Sequence, residues 1–394
     1  MKYLIAGILT VVAVFCVVFS LSDNPSDLIA TKQNNDEYIL TDEQQELLNY
    51  VFDTETEWLA SIQLENGAIP MNYADNGDIS VNPYFADFAA LAMLDDYEKY
   101  SAEIISYIEW HFSHLNTKET DYNHTDGTIY DYSVTMKDGE IIKEAITEKD
   151  GRLSYDSTDS YAATFLMVLD KYLEKSGDTE YILSRKNDIR RVSEALFTTM
   201  NHGLTYAKPD YEIKYLMDNC EVYKGLSSAV NLFEIISDED ISYKFIYFKC
   251  KYSVARLSSA IENKLWDKKE KHYYTAVDKK NKEAIDFSWN EFYPSATSQL
   301  FPIAFGLIPT NCERSEMLYD TFCGIYNWEE FDIPDSFCWG SNAYAAAVMN
   351  DVDRVITYLS HYKQLMEKHE YPLYNADAAK VAMAAYLILD NNSL

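Results

Sequence analysis

Asp156 and Asp159 stand three residues apart in the stretch Ser154-Tyr-Asp-Ser-Thr-Asp-Ser-Tyr-Ala-Ala-Thr-Phe-Leu-Met-Val-Leu169, which starts polar and then runs almost wholly apolar. On a helix, residues at i and i+3 share one side, so the two carboxyl groups can influence each other's ionisation. Paired carboxyls are what cleavage of a glycosidic bond needs. One protonates the leaving oxygen, and the other activates water or attacks directly. An aspartate at a helix N-terminus is held ionised by the dipole and the free N–H groups. The acid instead needs an apolar or like-charged setting that raises its pKa. Capping is the competing role, since Asp156 followed by Asp159 is close to a capping box.

Five other stretches share this design, an acid or amide beside aromatic rings and then an apolar run. They carry Asn82 and Tyr84; Asp218, Asn219, Glu221 and Tyr223; Trp289, Asn290, Glu291 and Tyr293; Trp339, Ser341, Asn342 and Tyr344; and Tyr374, Asn375 and Asp377. Flat rings stack on sugar C–H faces, and carboxylates and amides hydrogen-bond hydroxyls, so the set suits an uncharged glycan in a concave site. Asp156 or Asp159 is the candidate for one catalytic carboxyl, and Asp218 or Glu221 for the other. Tyr84, Tyr130, Tyr161, Trp289, Trp339 and Asn342 are candidate sugar contacts. Glu65, on a turn marked by Gly67, is a further one, and Asp126 and Asp131 are placed to reach over the groove.

The elements that must position these residues are helices of two kinds. Segments 42–63, 99–115, 180–200, 242–266, 313–326 and 351–367 are amphipathic and charged; in the third, Ile189, Val192, Ala195, Leu196 and Met200 form one stripe. Segments 83–95, 156–170, 218–235, 290–305, 340–349 and 376–389 are apolar nearly all round, as helices buried on every side are. The kinds alternate, outer then inner, which predicts an all-α (α/α)6 toroid of six inner and six outer helices. The links into the inner helices are the long ones, and long ordered loops carry function. The longest contains Asp138-Gly139 between alternating residues and predicts a small β-hairpin on the mouth side.

Composition limits the partners. The net charge of −31, from 33 Lys plus Arg against 64 Asp plus Glu, argues against nucleic acid. Leu4 to Leu21 carries no charge, so residues 1–22 read as a signal peptide or signal anchor, 23–41 as a polar tether and 42–394 as the toroid domain. That places the domain outside the cytoplasm, secreted or held to the cell membrane through the N-terminal segment only, and a monomer is expected. Six widely spaced cysteines form no disulfide framework or zinc pattern. No cofactor is implied: the histidines lack metal spacing, with His111 and His114 expected on a solvated helix face, and no Ser/His/Asp elbow, Walker loop or dinucleotide glycine motif occurs.

The helix order over residues 42–390, with "WLASIQLENGAI", "NPYFADFAALAML", "YDSTDSYAATFLMVL" and "MDNCEVYKGL", resembles the six-hairpin glycosidase superfamily, and distantly glycoside hydrolase family 8 and its relatives. The resemblance implies a glycoside hydrolase acting on a polysaccharide or oligosaccharide. Family 8 enzymes place an acidic glutamate in a Glu-Gly motif at the first inner helix, where this chain has Asn82-Pro-Tyr-Phe. Two alternatives follow: a non-catalytic glycan-binding or surface-assembly protein on the same toroid, or a polysaccharide lyase or epimerase.

Overall fold

The computed structural model describes residues 26–30, 38–72, 77–278, 284–285, 287–370 and 372–392. The expected leader lies outside the described residues. Among those described, no helix is long and apolar enough to cross a membrane.

Outer and inner helices alternate through six hairpins. The first pairs α1 (Asp42–Ser61) with α2 (Pro83–Met93), and the second α3 (Tyr97–Ser113) with α4 (Asp159–Ser176). In the third, a split outer pair, α5 (Thr179–Ser184) and α6 (Lys186–Thr199), precedes α7 (Leu216–Glu239). In the fourth, α8 (Lys244–Lys264) precedes a π-helical turn, Phe292–Ala296, and the short α9 (Phe301–Ala304). The last two join α10 (Glu313–Ile325) to α11 (Gly340–Val348), and α12 (Val352–Met366) to α13 (Asn375–Asn391). Each inner helix touches the next, and α13 returns to pack on α2 and α1, so the ring is closed. This is the (α/α)6 toroid that the alternation of helix types predicts.

The helix ends follow local chemistry. Thr41 and Gln44 form a reciprocal capping box at the start of α1. Asn82 caps α2, its Oδ1 accepting from the Phe85 amide, with Pro83 at the first helical position. The fourth inner segment departs from a continuous 290–305 helix. Pro294 and Pro302 each lack an N–H donor, and the chain there forms a π-helical turn and a four-residue helix.

Small residues let the inner ring close. Ala86, Ala89, Ala90 and Ala92 of α2 and Ala378, Ala379, Ala382, Ala384 and Ala385 of α13 are wholly buried. One close approach is between α4 and α7. A Cβ on Gly225 would fall 2.5 Å from the Cα and the carbonyl oxygen of Ala163.

The hairpin is present and larger than expected. Strand β2 (Tyr132–Lys137) pairs with β3 (Glu140–Ile146) across Asp138 and Gly139, which take φ of 53° and 83° as a two-residue hairpin turn requires. A third strand, β1 (Gly77–Val81), pairs with β2 in antiparallel register, Val81 opposite Tyr132. Asn82 and Asp131 are thereby brought side by side at the start of α2.

Because backbone atoms of α4 cannot withdraw from an added methyl group, Gly225→Ala should cost about 1–3 kcal/mol of folding stability. Chemical denaturation followed by circular dichroism measures it. A cost near zero would show that α4 and α7 can separate without loss.

Candidate active site

The inner helices all run the same way, so their N-termini meet at one mouth. Asp218 lies in the first turn of α7, half-buried. Burial raises its carboxyl well above the usual range, and the charges of Asp159, Glu221 and Asp156 push it further. Glu221, one turn deeper, is 2% exposed and accepts a 2.5 Å hydrogen bond from the Tyr84 hydroxyl. Burial raises its pKa, while Tyr84, Ser160 and the cation of Lys380 oppose the rise. Burial raises the hydroxyls of Tyr84, Tyr215 and Tyr293; Glu221 adds most to Tyr84, Tyr211 to Tyr215 and Asp218 to Tyr293, and Asp218 also adds to the first two.

Asp156 and Asp159 separate in role. The helix begins at Asp159, so Asp156 precedes it and is exposed at the mouth. Asp159 does not open onto the groove: it is fully buried, and its Oδ1 accepts from the Ser157 hydroxyl at 2.7 Å and the Ser160 amide at 2.9 Å. Ser157 Oγ accepts from the same amide, so these two residues cap the helix and Asp156 does not. Burial, aided by Glu221, pushes the Asp159 carboxyl up to about 7 against the opposing bonds from Ser157, Thr205 and Ser160.

Asp131 joins the group from the sheet side. Its Oδ1 accepts from Tyr161 Oη at 2.8 Å and from Asn82 Nδ2 at 3.1 Å. Burial pushes its carboxyl up to about 7; Tyr161 and the cations of Lys208 and Lys149 oppose this and Asp156 adds to it. The sequence placed Asp131 on the hairpin loop. Its tie to Asn82 and Tyr161 depends on β1, whose pairing no local pattern announced.

The aromatic candidates divide in the same way. Tyr84 and Tyr161 stack with ring centroids 6.0 Å apart. Tyr161 is 4% exposed and serves to hold Asp131. Tyr293, 53% exposed, leans on Trp339 at 5.1 Å and is the open ring beside Asp218. Trp339 is half-buried with its indole N–H unpaired, and Trp289 is half-buried against Phe287. Tyr130 is not a sugar contact. It is wholly buried in the 116–131 loop, donating to Thr120 O and accepting from Tyr122 N. Asn342, 2% exposed, lines a pocket with Phe88, Leu300 and Lys380.

Several candidates lie away from the cluster. Glu65 is exposed on the Leu64–Gly67 turn, and its neighbours Gln63 and Asn66 bond to Glu103 O and Glu144. Asp126 does not reach the groove, because Arg191 of α6 binds it at 2.9 Å. His111 is not solvated: it is 1% exposed and stacked on Phe165, and burial holds its pKa well below normal. His114 is half-buried and contacts Glu144 at 3.3 Å. Among the described residues no cluster of His, Cys, Asp and Glu could hold a metal, and the five cysteines described are free.

No protein-family model matches this chain, and no curated protein matches it. Solved structures do. A wild-type glycosidase aligns with a TM-score of 0.59 at 11% identity, over 90% of this chain and 99% of its own. A GH63 mannosylglycerate hydrolase from Thermus thermophilus, in complex with glucose, gives 0.56 at 11% identity, over 85% of this chain and 99% of its own. A novel alpha-amylase from Clostridium perfringens gives 0.53 at 12% identity, over 87% and 97%. The chain shares the (α/α)6 toroid fold of these structures, and at these identities the likeness is one of fold.

The buried carboxyl of Asp159 has a signature in stability. The folded state keeps its proton up to about pH 7, whereas the unfolded chain releases it near 4. Between these values the folded state binds more protons, so stability falls as pH rises, by at most about 1.4 kcal/mol per pH unit for this group. Asp159→Asn retains the Oδ1 acceptor and removes the titration. Urea denaturation between pH 4.5 and 7.5 should show a shallower loss in the variant, and equal slopes would mean Asp159 is ionised in the folded protein.

Proposed function

We propose that this protein is a glycoside hydrolase acting on a neutral or weakly charged oligosaccharide or polysaccharide. The observation that carries the reading is Asp218: a half-buried carboxyl at the mouth, surrounded by three other carboxyl groups and by Tyr84, Tyr215 and Tyr293. A carboxylic acid held protonated by burial and like charge is a proton donor at neutral pH. Asp156 is the exposed carboxyl beside it.

In this mechanism Asp218 gives its proton to the glycosidic oxygen as the bond from the anomeric carbon to that oxygen breaks. Water attacks the same carbon, and its proton passes to Asp156. The exposed position of Asp156 lets that proton leave to solvent, and Asp218 is reprotonated for the next turnover. Tyr293 and Trp339 offer ring faces to the sugar, and Asp131, held by Tyr161 and Asn82, lies next to Asp156. Glu221 and Asp159 sit behind the groove and hold up the Asp218 pKa. We further propose that the enzyme works outside the cytoplasm. The uncharged Leu4–Leu21 run supports that reading.

Incubation with a panel of neutral oligosaccharides, followed by mass spectrometry, tests the activity: products whose masses sum to substrate plus one water are expected. Intact retention of bound glycan would favour a binding protein, and unsaturated, ultraviolet-absorbing products would favour a lyase. On a cleaved substrate, Asp218→Asn and Asp156→Asn should each lower kcat by roughly 10²–10⁴-fold with unchanged circular dichroism. Azide should restore turnover to Asp156→Ala by replacing water as the attacking group. Full activity in both Asn variants would rule out this pair.

A further inference from the structure

The outer helix α8 carries a face that nothing among the described residues covers. Ile241, just ahead of it, and Phe245, Phe248 and Tyr252 are 78%, 80%, 51% and 49% exposed. The three on the helix, spaced three and four residues apart, lie within about 60° of one another around it. Lys244 and Lys251 flank this stripe on one side, and Lys249 and Arg256 on the other. No Asp or Glu occurs from Tyr243 to Ile261, in a chain with 64 of them. Lys244 contacts Asp238 at 3.4 Å and Lys249 lies over Phe197, while Lys251 and Arg256 are exposed.

We infer that this face docks on the surface of a bilayer containing anionic lipid. Aromatic and aliphatic side chains flanked by Lys and Arg are the pattern by which a helix lies in a membrane interface. The rings enter the headgroup boundary and the cations meet anionic lipid. A soluble polyanion would satisfy the cations and leave the Phe245 and Ile241 side chains in water. A second copy would set one cationic face against another.

The N-terminal segment joins the domain on the same outer helix. Ser26–Leu28 packs on α10, and both carboxylate oxygens of Asp27 accept from Arg314, at 2.8 and 3.0 Å. Arg314 also binds Glu262 of α8 at 2.6 Å. The chain that follows the uncharged Leu4–Leu21 stretch thus joins the domain on α10 and α8, about 20 Å along α8 from Phe248. The stripe sits where α8 leaves the far end of α7, roughly 25–30 Å from Glu221 along that helix. Docking there leaves the mouth open to solvent. The inference is independent of the glycosidase reading.

The test uses the full chain, with Cys16 and Cys323 replaced by serine, and an environment-sensitive fluorophore on Phe245→Cys or, as control, on the exposed Ile142→Cys. The probe surfaces are vesicles of phosphatidylcholine with or without 30% phosphatidylglycerol, carrying a lipid-phase quencher. Quenching at 245 should exceed that at 142 at least threefold, require phosphatidylglycerol, and be lost in Lys251→Glu/Arg256→Glu. Equal quenching at the two positions, or quenching at 245 that ignores lipid charge and the reversal, overturns the inference. Shielding of 245 by soluble polyglutamate as strong as by vesicles, or by raised protein concentration without lipid, overturns it in favour of a polyanion or a second copy.

Discussion

Ring closure is the constraint on which the structure depends. The last inner helix, α13, must reach both α1 and α2, and each inner helix must lie against two others. Alanine and glycine at the contacts allow this, as where Gly225 meets Ala163 and Gly340 meets the Asp377 carbonyl. Alternation then makes the inner helices parallel, so the N-termini of the five regular ones converge on one mouth. Asp159, Asp218 and Asp377 all sit in first turns there, where free N–H groups and the helix dipole favour a carboxylate.

That favourable setting does not outweigh burial. Asp159, Asp218, Glu221 and Asp377 are all raised, with burial as the leading cause in each. Lys380 is the cation that acts on Glu221 and Asp377, and burial lowers its own pKa. Cations are few beside these carboxyls, and burial and like charge keep their pKa values raised.

The outer shell obeys a different balance. Its ion pairs tie neighbouring hairpins: Arg191 to Asp126, Lys186 to Asp240, and Arg354 to Glu329. Arg314, 1% exposed, lies over Trp266 and binds Asp27 and Glu262 together, so the N-terminal segment is fastened by a buried cation. Against a surface with so large an excess of acid, the cationic, aromatic face of α8 stands apart in both charge and exposure.

The sequence by itself determined the toroid. Helices apolar on every side and helices with one apolar stripe differ in composition, and their alternation needs no knowledge of contacts. The Asp138-Gly139 hairpin was legible for the same reason, because turn chemistry is local. It also located the mouth, since polar residues gather where apolar helices begin. Only the tertiary structure decided which carboxyl faces what. Asp156 and Asp159 look alike in the chain, yet one is exposed and the other sealed beneath Ser157, because the helix starts three residues later than the polar run. Tyr130 and Tyr84 are equally aromatic, but one fills its own loop and the other bonds Glu221. Asp131 acquires its partners through β1, about 50 residues earlier in the chain, and a pairing at that separation leaves no periodic trace. Burial and charge coupling are properties of neighbours in space, and these set the acidity of each group.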